Sequence, residues 1–532
     1  MNHNKYTSYD DIPYPHLSYL HSHPDRLATL ATLLGMAPAP VKHCRVLELG
    51  CAGGGNLIPM AYGLPESEFV GIDLSARQVA EGQAAIAALG LPNITLKPLN
   101  ILEVNAGWGQ FDYIITHGIY SWVPPAVQDK IMEICRQNLA PQGVAYISYN
   151  TYPGWRMLGL AREMMLFHTR HMTDPHERSV EARRLLKFIA EAVPTANSAY
   201  GGFLKKYAQS LTGESEGTNP KLDALFLHDE LAEVNDPLYF HEFMARATSH
   251  GLQFLAEAEF GAMLASNLPD EVAETINRIS NDLIDVEQYL DFLHNRTFRM
   301  TLLCHEEISL QRKLRPEQVT AFYLASRAAP VSEQPDIHSN SVEKFRGPDE
   351  ATLSTDHPVS KAALLRLTEI WPQSMLFDDL LTAAYERLGR EADETGADAQ
   401  VLGSTVLTAY GYSENLMELH LHAPNFVQEV SERPVASPVA RWQVKSGLRV
   451  TNLRHERVNL DPFEGFLLHR LDGCHDRAAL LEALLAGPVA KGDLVLNLDG
   501  APVTDKTQFQ TMLAEELEVK LHWLAHVALL TA

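Results

Sequence analysis

Between Leu47 and Asn150 the chain alternates short apolar runs with longer stretches whose apolar positions recur every three or four residues. "EFVGID" (68–73), "ITLKPLN" (94–100), "FDYIITHG" (111–118) and "GVAYISYN" (143–150) read as strands. "ARQVAEGQAAIAALG" (76–90) and "PAVQDKIMEICRQNLAPQG" (125–143) have helical spacing and stop at glycine. This alternation predicts an α/β unit: a parallel sheet with helices on both faces and a ligand beyond the strand C-termini. After Trp155 the period turns helical, as in "AREMMLFHTRHM" and "VEARRLLKFIAEAV", and stays so to about Ser326. Residues 326–358, rich in Pro, Ser and Asp, read as a linker or long loop. Helices are then expected near 360–371, 376–388 and 397–409, followed by the strand-like "NLMELHLH" (415–422), the order of a winged helix. "DPFEGFLLHRLDGCHDRAALLEALLAG" (461–487) suggests two more helices around a tight Asp-Gly turn.

The first strand, within "RVLELGCAGGGN" (45–56), runs into residues with little or no side chain. A strand that ends in glycines and opens a helix offers free N–H groups to a polar or anionic ligand. Dinucleotides, nucleoside triphosphates and S-adenosylmethionine are all held this way. A P-loop is excluded, because no G-K-[ST] follows. Ala52 stands where a dinucleotide fold needs a glycine against the pyrophosphate. Glu48 would repel a pyrophosphate but can orient an ammonium. Asp73 ends the second strand, where a carboxylate grips ribose hydroxyls. Asn100 and Ile101, after the third, suit an adenine edge and face.

Length and charge narrow the picture further. The 532 residues exceed one core and predict several domains. Forty-three Lys and Arg against 67 Asp and Glu leave a net −24, which argues against nucleic acid as a partner. No apolar run reaches the ~18 residues of a membrane span, so no membrane insertion is expected. The five cysteines are scattered, which predicts a reducing, cytoplasmic setting and no structural zinc. His21 and His23 lack a third ligand at a recognisable spacing, and "CHEE" (304–307) is equally weak, so no metal is expected.

Residues 44–150 resemble a class I S-adenosylmethionine-dependent methyltransferase, whose E/D-x-G-x-G-x-G signature stands here as Glu48, Gly50, Ala52 and Gly54. The resemblance implies a Rossmann-like sheet, S-adenosylmethionine as cofactor and S-adenosylhomocysteine as product. It implies a cofactor set of Glu48, Gly50, Cys51, Ala52, Gly54, Asn56, Asp73, Leu74, Asn100, Ile101 and His117. Three aromatic groups are expected to converge on the sheet edge. Tyr120 and Trp122 follow strand four, Tyr152 and Trp155 (with Asn150) follow strand five, and Tyr9, Tyr14 and Tyr19 precede strand one as a lid. Tyr14, Tyr120, Trp122, Asn150, Tyr152 and Trp155 are the candidate catalytic residues; such a site positions an amine and excludes water.

"YDDIPYP", "HGIYSWVP" and "YNTYPGW" resemble bacterial protein lysine methyltransferases that act on outer-membrane proteins. "LHDELAEVNDPLYFHEFMARA" (227–247) and "QYLDFLHNRTFRMTLLCHEE" (288–307) resemble their methyltransferase regulatory domain. The division this implies is 1–160 for the cofactor domain with its lid, 161–330 helical and regulatory, 331–358 linker, and 359–532 winged-helix-like α+β. A lysine-bearing polypeptide is the implied acceptor, with a homodimer contact through the helical region. Alternatives are a small-molecule N-, O- or S-methyltransferase and a non-catalytic S-adenosylmethionine sensor. With 326–358 as a linker, removing the chain beyond about residue 350 is expected to spare cofactor binding.

Overall fold

The computed structural model describes residues 13–196, 198–212, 226–498, 501–503 and 505–532. Tyr9 of the expected lid lies outside them. Seven strands make the central sheet: β1 (Arg45–Leu49), β2 (Glu68–Asp73), β3 (Ile94–Pro98), β4 (Phe111–Thr116), β5 (Leu139–Asn150), β6 (Leu252–Glu257) and β7 (Phe298–His305). Their order is β3-β2-β1-β4-β5-β7-β6. The first five pair in parallel, as the alternation predicts. Local chemistry sets the helices between them. Ser75 caps Ala76–Leu89 by accepting from the Gln78 N–H, and Gly90, at φ 65°, ends it. Pro124 and Pro125 start Pro125–Asn138.

The sheet is mixed rather than parallel throughout. β7 runs antiparallel to both β5 and β6. Both added strands come from 161–330, which is therefore not purely helical. β6 is buried along almost its whole length, so it lacks the in–out alternation that marks a strand. A buried ion cluster locks this edge to the helix Leu283–His294. The Arg299 guanidinium donates to Glu257 Oε1 (2.6 Å), Glu287 Oε2 (3.0 Å) and Asp291 Oδ2 (2.9 Å). Its carbon lies 3.8 Å from the centroid of the Phe240 ring. Removing one partner from such a cluster leaves a buried charge uncompensated, at ~3–5 kcal/mol.

Residues 331–358 are folded, not a linker. Glu343–Arg346 pairs with Ala329–Pro330 and with Thr352–Thr355, and Phe345 is fully buried beneath them. The buried Lys361 ammonium donates to the carbonyls of Asp336 (2.6 Å), Ser339 (2.7 Å) and Ser341 (3.0 Å). Composition marks this segment as irregular, but its few apolar residues and one lysine pin it down. Helices Pro358–Ile370, Phe377–Leu388 and Ala397–Tyr412 and the strand Glu418–His420 stand where the pattern puts them. They share one continuous core with the methyltransferase sheet, so no independent unit begins at 359. A second core, built from residues 436–530, holds Pro462–Arg470, Arg477–Leu484 and Lys506–His526. The hairpin of strands Arg449–Thr451 and Arg457–Asn459 projects from it as a wing. No helix among the described residues is long and apolar enough to cross a membrane.

Candidate functional site

β1 delivers Glu48 to the floor of the glycine loop, where it is buried. Its Oε1 accepts from the Asn56 amide at 2.8 Å, while its Oε2 is buried with no partner. Burial, helped by the charge of Asp73, pushes its carboxyl up to about 8. Asp73 is held by the loop it faces: Oδ2 accepts from the Ala52 N–H and Oδ1 from the Ser75 N–H, both at 2.8 Å. Ala52 has φ 47°, the left-handed region in which the usual glycine costs nothing and an L-residue about 1–2 kcal/mol. Its bond to Asp73 opposes that cost. Gly50 and Gly54 sit at φ 78° and 75°.

The lid expectation has its counterpart in residues 13–19, a strap lying directly on this loop. A Cβ on Gly53 would fall 2.0 Å from the His16 ring, and one on Gly55 2.7 Å from the His16 backbone. The Gln78 amide donates to the Tyr14 carbonyl (3.1 Å), and the Tyr19 N–H donates to Asn56 Oδ1 (2.9 Å). Tyr19 stacks on His117 with centroids 3.5 Å apart. His117 Nδ1 is 2.8 Å from the Tyr146 hydroxyl, and burial lowers its pKa to about 3, so the ring is neutral.

Among the other cofactor candidates, Asn100 caps the turn Ile101–Glu103 by accepting from the Leu102 N–H at 3.0 Å. Leu74 is half exposed beside Asp73. Cys51 contributes backbone to the loop, but its thiol is buried against Gly71 in the sheet. The unpartnered buried Glu48 oxygen, the oriented Asp73 and the glycine cradle fit S-adenosylmethionine: an acid for its ammonium and an acid for its ribose.

The aromatic residues do not form one cluster. Tyr120 belongs to the core, fully buried and edge-on to Phe243 (centroids 5.4 Å). The 3₁₀ turn Tyr120–Trp122 explains this: at three residues per turn, Tyr120 faces inward and Trp122 toward the surface. Trp122 meets Trp155 edge-on at 6.0 Å, and Trp155 is itself buried. Asn150 donates its amide to Asn235 Oδ1 (2.9 Å). Tyr152 lies beneath the Arg156 guanidinium at 3.9 Å.

Several residues reach the site from outside the glycine loop and the three aromatic groups. His228 faces Tyr14 (centroids 6.0 Å), and burial beside Glu230 pushes the Asp229 carboxyl up to about 7. Ser22 accepts from the Asn56 amide at 3.0 Å, and His455 reaches Asn56 Oδ1 from 399 positions away. Beyond Tyr19 opens a cleft of about 1370 Å³, bordered by Leu20, His21, Glu259, Asp349, Trp371, Tyr412, Glu414 and Arg457. Arg457 also lies over the Tyr19 ring, at 5.7 Å. Glu259, Asp349, Tyr412 and Arg457 are exposed, so the cleft is open to solvent. Among the described residues no three His, Cys, Asp or Glu side chains are grouped to hold a metal.

Three family models match the chain: a methyltransferase domain over 46–143, a predicted methyltransferase regulatory domain over 223–305, and a PKMT C-terminal winged helix domain over 432–529. Protein RP789 of Rickettsia prowazekii is 35% identical over 512 residues, covering 95% of this chain and 90% of its own. The solved structure of PKMT2 from Rickettsia typhi is 30% identical, covers 98% of this chain and 100% of its own, and superposes with a TM-score of 0.85. The same protein in complex with AdoHcy gives a TM-score of 0.86.

Proposed function

Since the chain belongs to the PKMT family of S-adenosylmethionine-dependent methyltransferases, we propose that it methylates the ε-amine of lysine in a polypeptide. The observation that carries this reading is the C-terminal unit: a PKMT winged helix domain model matches 432–529, and the wing of that unit packs on the glycine loop through His455 and Asn56. A solvent-open cleft lies beside the strap, next to Tyr19. The net charge of −24 favours the same class of acceptor over nucleic acid. Exposed Leu160, Phe167 and Phe188 on the helices Gly154–Thr169 and Pro175–Ala192 support self-association through the helical region.

When bound, S-adenosylmethionine supplies an electrophilic methyl on sulfur. Glu48 would hold its ammonium, Asp73 its ribose, and Asn100 with Ile101 its adenine. Neutral His117 and the stacked Tyr19 keep water from the reacting face. The acceptor amine attacks only as the free base. Tyr14, Trp122, Asn150, Tyr152 and Trp155 remain the acceptor-side assignment, and Tyr120 is withdrawn from it.

The test is to incubate the protein with methyl-labelled S-adenosylmethionine and a lysate, then separate macromolecules from small molecules. Protease-sensitive label in the macromolecular fraction is the expected result. Label confined to small molecules would favour a biosynthetic methyltransferase and overturn the reading.

A further inference from the structure

The wing of the C-terminal unit does not stop at its own core. His455, at its tip with φ 65°, is buried against the cofactor loop. Its Nε2 lies 2.8 Å from Asn56 Oδ1. The atoms around Asn56 fix every role in this contact. The Tyr19 backbone N–H can only donate, so the Asn56 atom facing it is the carbonyl oxygen. That oxygen can only accept, so His455 carries its proton on Nε2. Burial keeps the His455 ring neutral. The Asn56 amide nitrogen then points at Glu48 Oε1 (2.8 Å) and Ser22 Oγ (3.0 Å). The hydrogen-bonding capacity of Asn56 is filled, half of it by groups of the strap and the wing.

Two more contacts tie the wing to the strap. Thr451 Oγ1 is 3.2 Å from Ser18 Oγ in a buried pair, and the Arg457 guanidinium covers Tyr19. Glycine loop, strap and wing thus meet at one asparagine, one bond away from the acid with a buried, unpartnered oxygen.

We propose that His455 is a positioning residue of the cofactor site, and that the winged-helix unit sets S-adenosylmethionine affinity through His455, Asn56 and Glu48. Without the His455 donor, Asn56 loses one of the two bonds that orient its carbonyl, and its hold on Glu48 slackens. By linkage, a bound cofactor must in turn stabilise the docked wing.

The proposal is tested on the full chain, with S-adenosylhomocysteine as the probe, so its outcome does not depend on which acceptor is methylated. In calorimetric titration, His455→Leu should raise Kd about tenfold, which converts to about 1.4 kcal/mol. His455→Gln keeps an N–H for the same oxygen and should recover most of that loss. A folded His455→Leu variant with normal Kd would overturn the proposal. So would an equal loss in both variants, which would make His455 merely structural. Hydrogen exchange on the unmutated protein needs no variant to fold: amides of residues 449–459 should exchange more slowly with the probe bound. Unchanged exchange there would also overturn it.

Discussion

Replacing Glu48 by glutamine separates what this acid costs the empty protein from what it gives the bound one. Its side chain is buried, with one oxygen on Asn56 and the other unpartnered. The folded-state pKa is raised to about 8 from the ordinary 4.5, so between these values the native state holds more protons than the unfolded one. Stability from this group is therefore complete below about pH 4.5 and is lost as pH rises through 8, by an amount of order 5 kcal/mol. Glu48→Gln removes that penalty, so the variant without cofactor should melt higher than wild type at pH 9 and alike at pH 5. Cofactor binding reverses the balance, because the ammonium needs the carboxylate. Below pH 8, binding must expel the Glu48 proton, so Kd for S-adenosylhomocysteine should fall about tenfold per pH unit from 6 to 8. Above that the slope ends, and affinity declines only where the ligand's own α-ammonium loses its charge. A hydrogen bond to a charged group contributes ~1.5–3 kcal/mol, so at pH 8 the variant should bind about 10- to 100-fold more weakly. Titration calorimetry at half-unit steps, paired with melts on the same samples, gives both readouts. A flat wild-type profile between pH 6 and 8, or unchanged affinity in the variant, would refute this role for Glu48.

Three further outcomes follow from the geometry. Asp73→Ala should weaken S-adenosylhomocysteine binding at least tenfold in a folded protein, since charge-assisted bonds to the ribose are lost together with the anchor for Ala52; calorimetry with unchanged affinity would remove Asp73 from the site. Trp122→Ala should lower turnover on a protein acceptor much more than cofactor affinity, and the half-buried ring should spare the melt; a collapsed melt would place Trp122 with its partner Trp155 in the core. Deleting the chain beyond residue 350, expected from the sequence to spare cofactor binding, should instead abolish cooperative melting. It strips the buried Asp25 of His420 (2.7 Å) and Arg26 of Glu414 and Glu418, and it removes the helices Pro358–Ile370, Phe377–Leu388 and Ala397–Tyr412 from the core they share; a soluble fragment with normal cofactor affinity would contradict this.

The first half of the sheet was legible because its signals are local. Strands β1 to β4 and the helix Ala76–Leu89 fall within a few residues of their expected limits, and Glu48 and Asp73 stand at the strand ends that a loop-binding ligand requires. What escaped depends on contacts distant in sequence. β6 and β7 complete the sheet from inside a helical stretch, held by Arg299 and three acids that no pattern connects. Residues 331–358 have the composition of a loop yet bury Phe345 and wrap the Lys361 ammonium. Tyr120 shared the sheet edge with Trp122 in sequence, but a single 3₁₀ turn sends their side chains in different directions. The resemblance implies Asn56 as a cofactor contact, but its amide and carbonyl are taken up by Glu48, Ser22, Tyr19 and His455, so it acts on the site through Glu48. Its partner His455 has no motif of its own and was visible only once the wing was folded against the loop.

The most direct test of acceptor and atom is acid hydrolysis of the labelled product followed by amino-acid analysis. Full-length protein, methyl-labelled S-adenosylmethionine and a candidate polypeptide are incubated together, with Glu48→Gln as the control. The label should be recovered as ε-N-methylated lysine and be strongly reduced in the control. Label recovered on any other residue, or released as a small molecule, would contradict it.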